Sequence, residues 1–215
     1  MPDTVAHGRS GRPSSRRYGD LVPLLGATDP LPYRPRRVLV AGTSGSGKTT
    51  LATRIAASLP APHVEIDSLF HGPAWTPRPS FVADVRRFAS GPTWVTEWQY
   101  SAVRGYLADR ADLLVWLDLS RTVVMRQVLG RTLVRRWRRQ TLWNGNVEPP
   151  LRTIVTDPEH IVRWAWTTHH KTAARVTELL AQRVDLPVVR LRTHADATRW
   201  LRGPLERATC EGDDR

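Results

Sequence analysis

From residue 36 onward, short apolar runs alternate with longer stretches in which apolar residues recur every three or four positions. The runs at 37–41, 63–67, 93–97, 113–118 and 187–191 have strand length and read as five strands. Between them the helical period predicts a helix over 48–58, ended by Pro60, and one from an N-cap at Ser80 to residue 90, stopped by Gly91-Pro92. A short helix at 101–110, a long Arg-rich helix from about 121, a helix over about 158–183 and a last helix capped by Thr193 complete the series. A Pro/Gly-rich loop at 71–79 and an irregular stretch at 142–156 interrupt it. Strand after helix after strand predicts a three-layer α/β/α domain with a five-stranded parallel sheet, which binds ligands at the carboxyl ends of its strands.

The first predicted strand, ending Val38-Leu39-Val40-Ala41, runs straight into Gly42-Thr43-Ser44-Gly45-Ser46-Gly47-Lys48-Thr49. This is a complete G-x-x-x-x-G-K-[ST] phosphate-binding loop (Walker A) in the strand-loop-helix setting that gives the pattern its meaning. Its glycines let backbone N–H groups curl around phosphate oxygens, and the helix N-terminus adds partial positive charge. Gly42 through Thr50 are the expected nucleotide-binding residues, with Lys48 reaching the β- and γ-phosphates and the Thr49 hydroxyl holding Mg²⁺. Only two of the 32 basic residues are lysines, Lys48 and Lys171, so a chain built on Arg still places a compact ammonium here.

Composition changes the picture little. A chain of 215 residues suggests one domain, with residues 36–205 as its body. Residues 1–35, rich in Pro, Gly, Ser and Arg, read as a disordered basic extension, and 206–215 as a flexible tail. The single Cys210 cannot form an internal disulfide, which suits a reducing cytoplasm. No apolar run is long enough for a membrane span, and the first 35 residues hold no signal-peptide core. The net charge of +12 suits anionic partners, whether nucleotide, nucleic acid or acidic lipid.

Three carboxylates, Asp67, Glu97 and Asp118, end predicted strands and so belong at the sheet edge that carries the phosphate loop. Phosphoryl transfer needs a carboxylate near Mg²⁺ and one that meets the acceptor hydroxyl. Glu97 is the expected Mg²⁺-water carboxylate, Asp67 the acceptor contact, and Asp118 a helix cap. From Arg121 to Arg139 the chain has seven arginines and no acid. Arg131, Arg135 and Arg139 share a helical face, where a phosphate would offset their repulsion, so Arg131 and Arg135 join Lys48, Asp67 and Glu97 as expected catalytic residues. Trp75, Trp98, Tyr100 and Trp143 are exposed-ring candidates for stacking on a base or sugar, and Trp116 is a core residue. Cys pairs and helically spaced His pairs for zinc are absent from the sequence.

The phosphate loop, His63-Val64-Glu65-Ile66-Asp67-Ser68-Leu69-Phe70, Trp75, Trp94-Val95-Thr96-Glu97-Trp98-Gln99-Tyr100 and Val115-Trp116-Leu117-Asp118 resemble the adenylate-kinase-like P-loop proteins known as topology modulation proteins. The resemblance covers most of residues 36–200. It implies strand order 2-3-1-4-5, a lid at about 130–156, ATP binding and phosphoryl transfer to a small acceptor. Members of that family carry Asp-Gly-Asn-Tyr where this chain has Glu97-Trp98-Gln99-Tyr100, so a bulky ring replaces Gly on the expected acceptor side. The Asp-Gly-Phe-Pro-Arg segment of adenylate kinases has no match, which argues against AMP as acceptor.

The expected activity is therefore that of a cytoplasmic small-molecule kinase, an ATP- and Mg²⁺-dependent transferase. A nucleic-acid-associated ATPase is the alternative suggested by the basic charge, and a non-catalytic nucleotide sensor is another. A guanine-specific switch does not fit, because its Asn-Lys-x-Asp segment is missing.

Overall fold

The computed structural model describes residues 24–137 and 161–210, with side chains for 24–131 and 169–210. Six parallel strands form one sheet: β1 (Leu24–Leu25), β2 (Arg37–Gly42), β3 (His63–Val64), β4 (Trp94–Glu97), β5 (Leu113–Leu117) and β6 (Val188–Leu191). Their order is β1-β6-β5-β2-β4-β3. The helices are α1 (Lys48–Ser58), α2 (Ile66–Phe70), α3 (Phe81–Ala89), α4 (Ser101–Arg110), α5 (Arg121–Trp137), α6 (Ile161–Gln182), α7 (His194–Trp200) and α8 (Glu206–Cys210).

The sheet has six strands where five were expected: the five expected ones lie in the order 2-3-1-4-5, and one more joins the edge. The sixth strand, β1, pairs Leu24 with Val188 and Leu25 with Val189. It lies inside the stretch that composition reads as a disordered extension. Two residues carry no periodicity, and what makes them a strand is the open edge of β6. Likewise α8 occupies the first half of the expected tail, with Ala208 buried.

Alternation along the strands builds two cores. From β2, Val38 and Val40 face a cluster with Leu51 and Ile55 of α1, Val124 and Val128 of α5, and Trp200 of α7. Leu39 and Ala41 face the other side, with Val85 of α3, Val103 and Leu107 of α4, and Val176 and Leu179 of α6. All five residues of β5 are buried, as a central parallel strand requires. Trp116 on β5 is a core residue, with the Arg190 guanidinium 4.8 Å from its ring centre.

Caps and ends differ in detail from expectation. Thr193 does cap α7: its hydroxyl accepts from the Asp196 N–H while Asp196 accepts from the Thr193 N–H. Ser80 precedes α3, but its hydroxyl donates to the Asp84 carboxylate and accepts from no N–H of the helix end. Asp118 caps nothing; it accepts from the Arg190 guanidinium on neighbouring β6. The strand expected over 63–67 stops at Val64, since only His63 and Val64 pair with β4. The chain then turns into α2, so Asp67 projects from a short helix. The expected lid at about 130–156 lies mostly outside the described residues.

Candidate functional site

The phosphate loop closes where β2 gives way to α1. Gly45 (φ +84°) and Gly47 (φ +91°) are left-handed, a conformation that favours glycine. A Cβ on Gly45 would overlap a Val128 methyl, and one on Gly42 would sit 2.5 Å from the Ser46 hydroxyl. The loop is pinned by Ser46 N–H to Thr43 O (3.0 Å) and by Leu51 N–H to Gly47 O (3.0 Å). Thr43 and Ser46 are buried, Ser44 and Thr49 are partly exposed, and Thr50 is exposed. The Ser46 hydroxyl has no hydrogen-bond partner among the described residues. A buried hydroxyl in that state costs free energy, which an oxyanion placed in the loop would relieve.

Lys48 begins α1 and is only 8% exposed. Its Nζ turns back to donate to Thr43 O at 3.2 Å. Burial lowers its pKa, while the charges of Asp67 and Glu97 raise it and that of Arg131 lowers it further. The ammonium is thus within electrostatic reach of three other expected site residues: two carboxylates from the β3/β4 side and a guanidinium from α5. The backbone of Arg135 lies one turn further along α5. Its side chain lies outside those described.

Glu97, at the end of β4, is 1% exposed. One carboxylate oxygen accepts from the Ile66 N–H (3.1 Å), and the other faces His63 Nε2 (3.3 Å). Burial pushes Glu97 upward, but the bonds from His63 and Ile66 outweigh it and hold the carboxyl below its ordinary value. His63 Nδ1 in turn contacts the Thr53 hydroxyl (3.1 Å), which also bonds Thr49 O (2.9 Å). This chain, exposed at Thr53 and buried at Glu97, joins α1 to the start of α2. Sequence reasoning missed His63, although its place at the start of a strand beside α1 was visible.

Asp67 is held by two donors on one oxygen. Gln99 Nε2 lies 2.7 Å and the Tyr100 hydroxyl 2.6 Å from Oδ1. The phenol is kept protonated, first by burial and then by the Asp67 charge and hydrogen bond. Its single proton goes to Asp67, so its oxygen accepts from His71 Nε2 at 3.2 Å. Gln99 and His71 were missed; Tyr100 was expected only as a stacking ring. The signal was available in their position, immediately after the strand that ends in Glu97 or after Asp67.

Trp98 corrects the expected acceptor-side geometry. Its indole N–H donates to Arg104 O (3.0 Å) and the Arg104 guanidinium lies over its ring, so it packs against α4. Trp75 is partly exposed and meets the His71 ring edge-on at 5.1 Å. Trp143 lies outside the described residues. Among the described residues no group of three or more His, Cys, Asp or Glu is placed to hold a metal, and no helix is long and apolar enough to cross a membrane.

No protein-family model matches the chain, and no curated protein matches it. The resemblance to topology modulation proteins therefore rests on the residues that carry it. Among solved structures, the chain is similar to a gluconokinase from Sinorhizobium meliloti 1021, with 23% identity and a TM-score of 0.38 over 71% of this chain and 95% of that one. It is also similar to a shikimate kinase from Bacteroides thetaiotaomicron, with 15% identity and a TM-score of 0.41 over 78% and 95%. At these levels of identity and superposition, the functional reading rests on the site's own residues.

Proposed function

We propose that the chain is an ATP-dependent small-molecule kinase that transfers the γ-phosphoryl group to a hydroxyl. The observation that carries this is the buried Lys48 ammonium inside a left-handed glycine loop, with the Asp67 carboxylate of α2 and the Glu97 carboxylate at the end of β4 acting on it. A loop of this kind binds the donor phosphates through backbone N–H groups, Lys48 and the Ser46 hydroxyl. In the reaction the acceptor oxygen bonds to the γ-phosphorus, the bond from that phosphorus to the β,γ-bridging oxygen breaks, and the acceptor proton leaves toward Asp67. ADP departs with the bridging oxygen.

Mg²⁺ would screen the phosphate charge when bound. The Thr49 hydroxyl is suited to ligate it, being partly exposed at the start of α1. Glu97, its oxygens engaged by His63 and Ile66, would act on the ion through its charge. Lys48 and Arg131, with Arg135 from the next turn, would meet negative charge on the transferring group. Gly42 to Thr50 form the nucleotide cradle.

The test is an ATP-consumption screen against neutral alcohols, sugars, nucleosides and nucleotides, run with the full chain and with Lys48→Ala. The variant is expected to lose turnover by at least about 100-fold, in line with removing one transition-state donor, while keeping its unfolding midpoint. Equal activity in the two proteins would exclude this site as the catalytic one.

A further inference from the structure

We infer that the acceptor is a neutral polyhydroxylated compound, bound with one hydroxyl on the open oxygen of Asp67 and its carbon face against Trp75. This rests on the kinase reading and adds the chemical class of the acceptor. Both hydrogen bonds to Asp67 fall on Oδ1, which leaves Oδ2 to accept from an incoming hydroxyl. The carboxylate is braced from behind by Gln99 and by Tyr100, itself backed by His71.

The wall beside Asp67 is a train of rings. Phe70 stacks on Tyr100 at 4.0 Å, the buried Phe81 meets both edge-on, and His71 carries the train to Trp75. Trp75 stands at the tip of a loop fastened by its own hydrogen bonds: Gly72 N–H to Thr76 O (2.7 Å), Arg78 N–H to Phe70 O (2.9 Å) and the Thr76 hydroxyl to Pro73 O (2.7 Å). Ala74 (φ +54°), Trp75 (φ +60°) and Tyr100 (φ +58°) all hold left-handed backbone without being glycine. Each such residue costs about 1–2 kcal/mol, and strain of this kind concentrates where a ligand is held. Three of the four non-glycine residues with positive φ among the described residues fall on this one wall.

Charge selects the class. An acidic acceptor would bring a second anion to Asp67, while the cations nearby, Lys48 and Arg131, are the groups assigned to the transferring phosphate. A cationic one would sit beside Lys48, whose charge already interacts with Asp67. A neutral hydroxyl meets neither penalty, and the C–H face of a polyol or sugar suits an aromatic ring as platform.

The experiment uses full-length protein labelled with 5-fluorotryptophan, the Trp75 ¹⁹F resonance being assigned with Trp75→Phe. With a non-hydrolysable ATP analogue bound, it is titrated separately with sorbitol and myo-inositol, with ethanolamine, and with gluconate. The neutral polyols are expected to shift the Trp75 resonance. Trp75→Ala should weaken them about tenfold, Trp75→Phe should restore most of the affinity, and analogue binding should stay unchanged. Asp67→Asn should weaken the polyols as well. Polyols that leave Trp75 unmoved overturn the inference, as does a stronger response to ethanolamine or gluconate. Polyol binding without ADP formation from ATP keeps the subsite and removes the kinase reading. Circular dichroism melting separates lost binding from lost fold, and Trp75→Phe serves if the alanine variant melts early.

Discussion

Glu97→Gln tests whether the buried carboxylate at the end of β4 is a charged hinge between the two halves of the site. The substitution keeps the shape and removes the charge. At 1% exposure the group has no solvent to fall back on, so its two partners decide the outcome. The glutamine's carbonyl can still accept from the Ile66 N–H, and its amide can then face His63 Nε2, provided His63 carries its proton on Nδ1 and gives it to Thr53. The connections survive and only the charge assistance is lost. Hydrogen bonds to charged groups contribute about 1.5–3 kcal/mol and neutral ones about 1, so the variant should lose about 1–2 kcal/mol at pH 7. The pH dependence has a definite sign. Glu97 is held below its ordinary value of 4.5 in the folded protein. A carboxylate so held adds stability above that value, and the contribution disappears as pH falls through the folded value. The gap between wild type and Glu97→Gln should therefore close as pH falls below 4.5 and through the folded value, with the other carboxylates cancelling in the difference. Urea unfolding followed by tryptophan fluorescence at stepped pH measures it. A gap that stays constant or widens on acidification would refute the reasoning.

The other expectations concern the loop and the core. Lys48→Arg keeps the charge but puts a wide planar fork into a site 8% exposed, so turnover should fall nearly as far as in Lys48→Ala; near-normal kcat would show that charge alone suffices. Gly45→Ala forces a left-handed alanine against Val128 and should cost at least about 1–2 kcal/mol along with nucleotide affinity, with partial recovery in the double variant carrying Val128→Ala, read by calorimetric ATP titration and urea unfolding. Ile55→Ala, at a fully buried position in α1 against the sheet, should lower stability by about 2–5 kcal/mol in urea titrations; a loss under 1 kcal/mol would mean that the helix packs loosely there.

The central strands and the helices around them were legible because their burial is written into the residues themselves. Val38-Leu39-Val40-Ala41 is apolar on both faces because both faces are covered. What stayed hidden was what depends on a distant partner. Leu24–Leu25 is a strand only because β6 offers an edge. His63–Val64 stops short of Asp67 because Glu97, far along the chain, captures the Ile66 N–H. Ser80 has the composition of a cap, but Asp84 competes for its hydroxyl. Trp98 was placed on the acceptor side by its neighbours in sequence, whereas strand alternation turns it toward α4. The turn from β2 through the glycine loop into α1 was legible, whereas the setting of Asp67, the expected acceptor contact, was not, since Gln99, Tyr100 and His71 act on it only through space.

The two halves of the proposed reaction are joined by more than proximity. Thr49, suited to the metal, shares its carbonyl with Thr53; Thr53 contacts His63; His63 faces Glu97; and Glu97 holds the Ile66 N–H at the start of the helix that presents Asp67. A shift of α1 on filling the phosphate loop would thus act on α2 through a run of hydrogen bonds that ends in the buried Glu97 carboxylate. Apolar packing of the same volume could hold α2 in place, but it would tolerate sliding, since dispersion contacts are weakly directional. Hydrogen bonds are not. Directional coupling of this sort is what a transferase needs, because the acceptor hydroxyl must lie in line with a phosphorus atom bound on another element, and a misplacement on the order of 1 Å is enough to cost about 100-fold in rate.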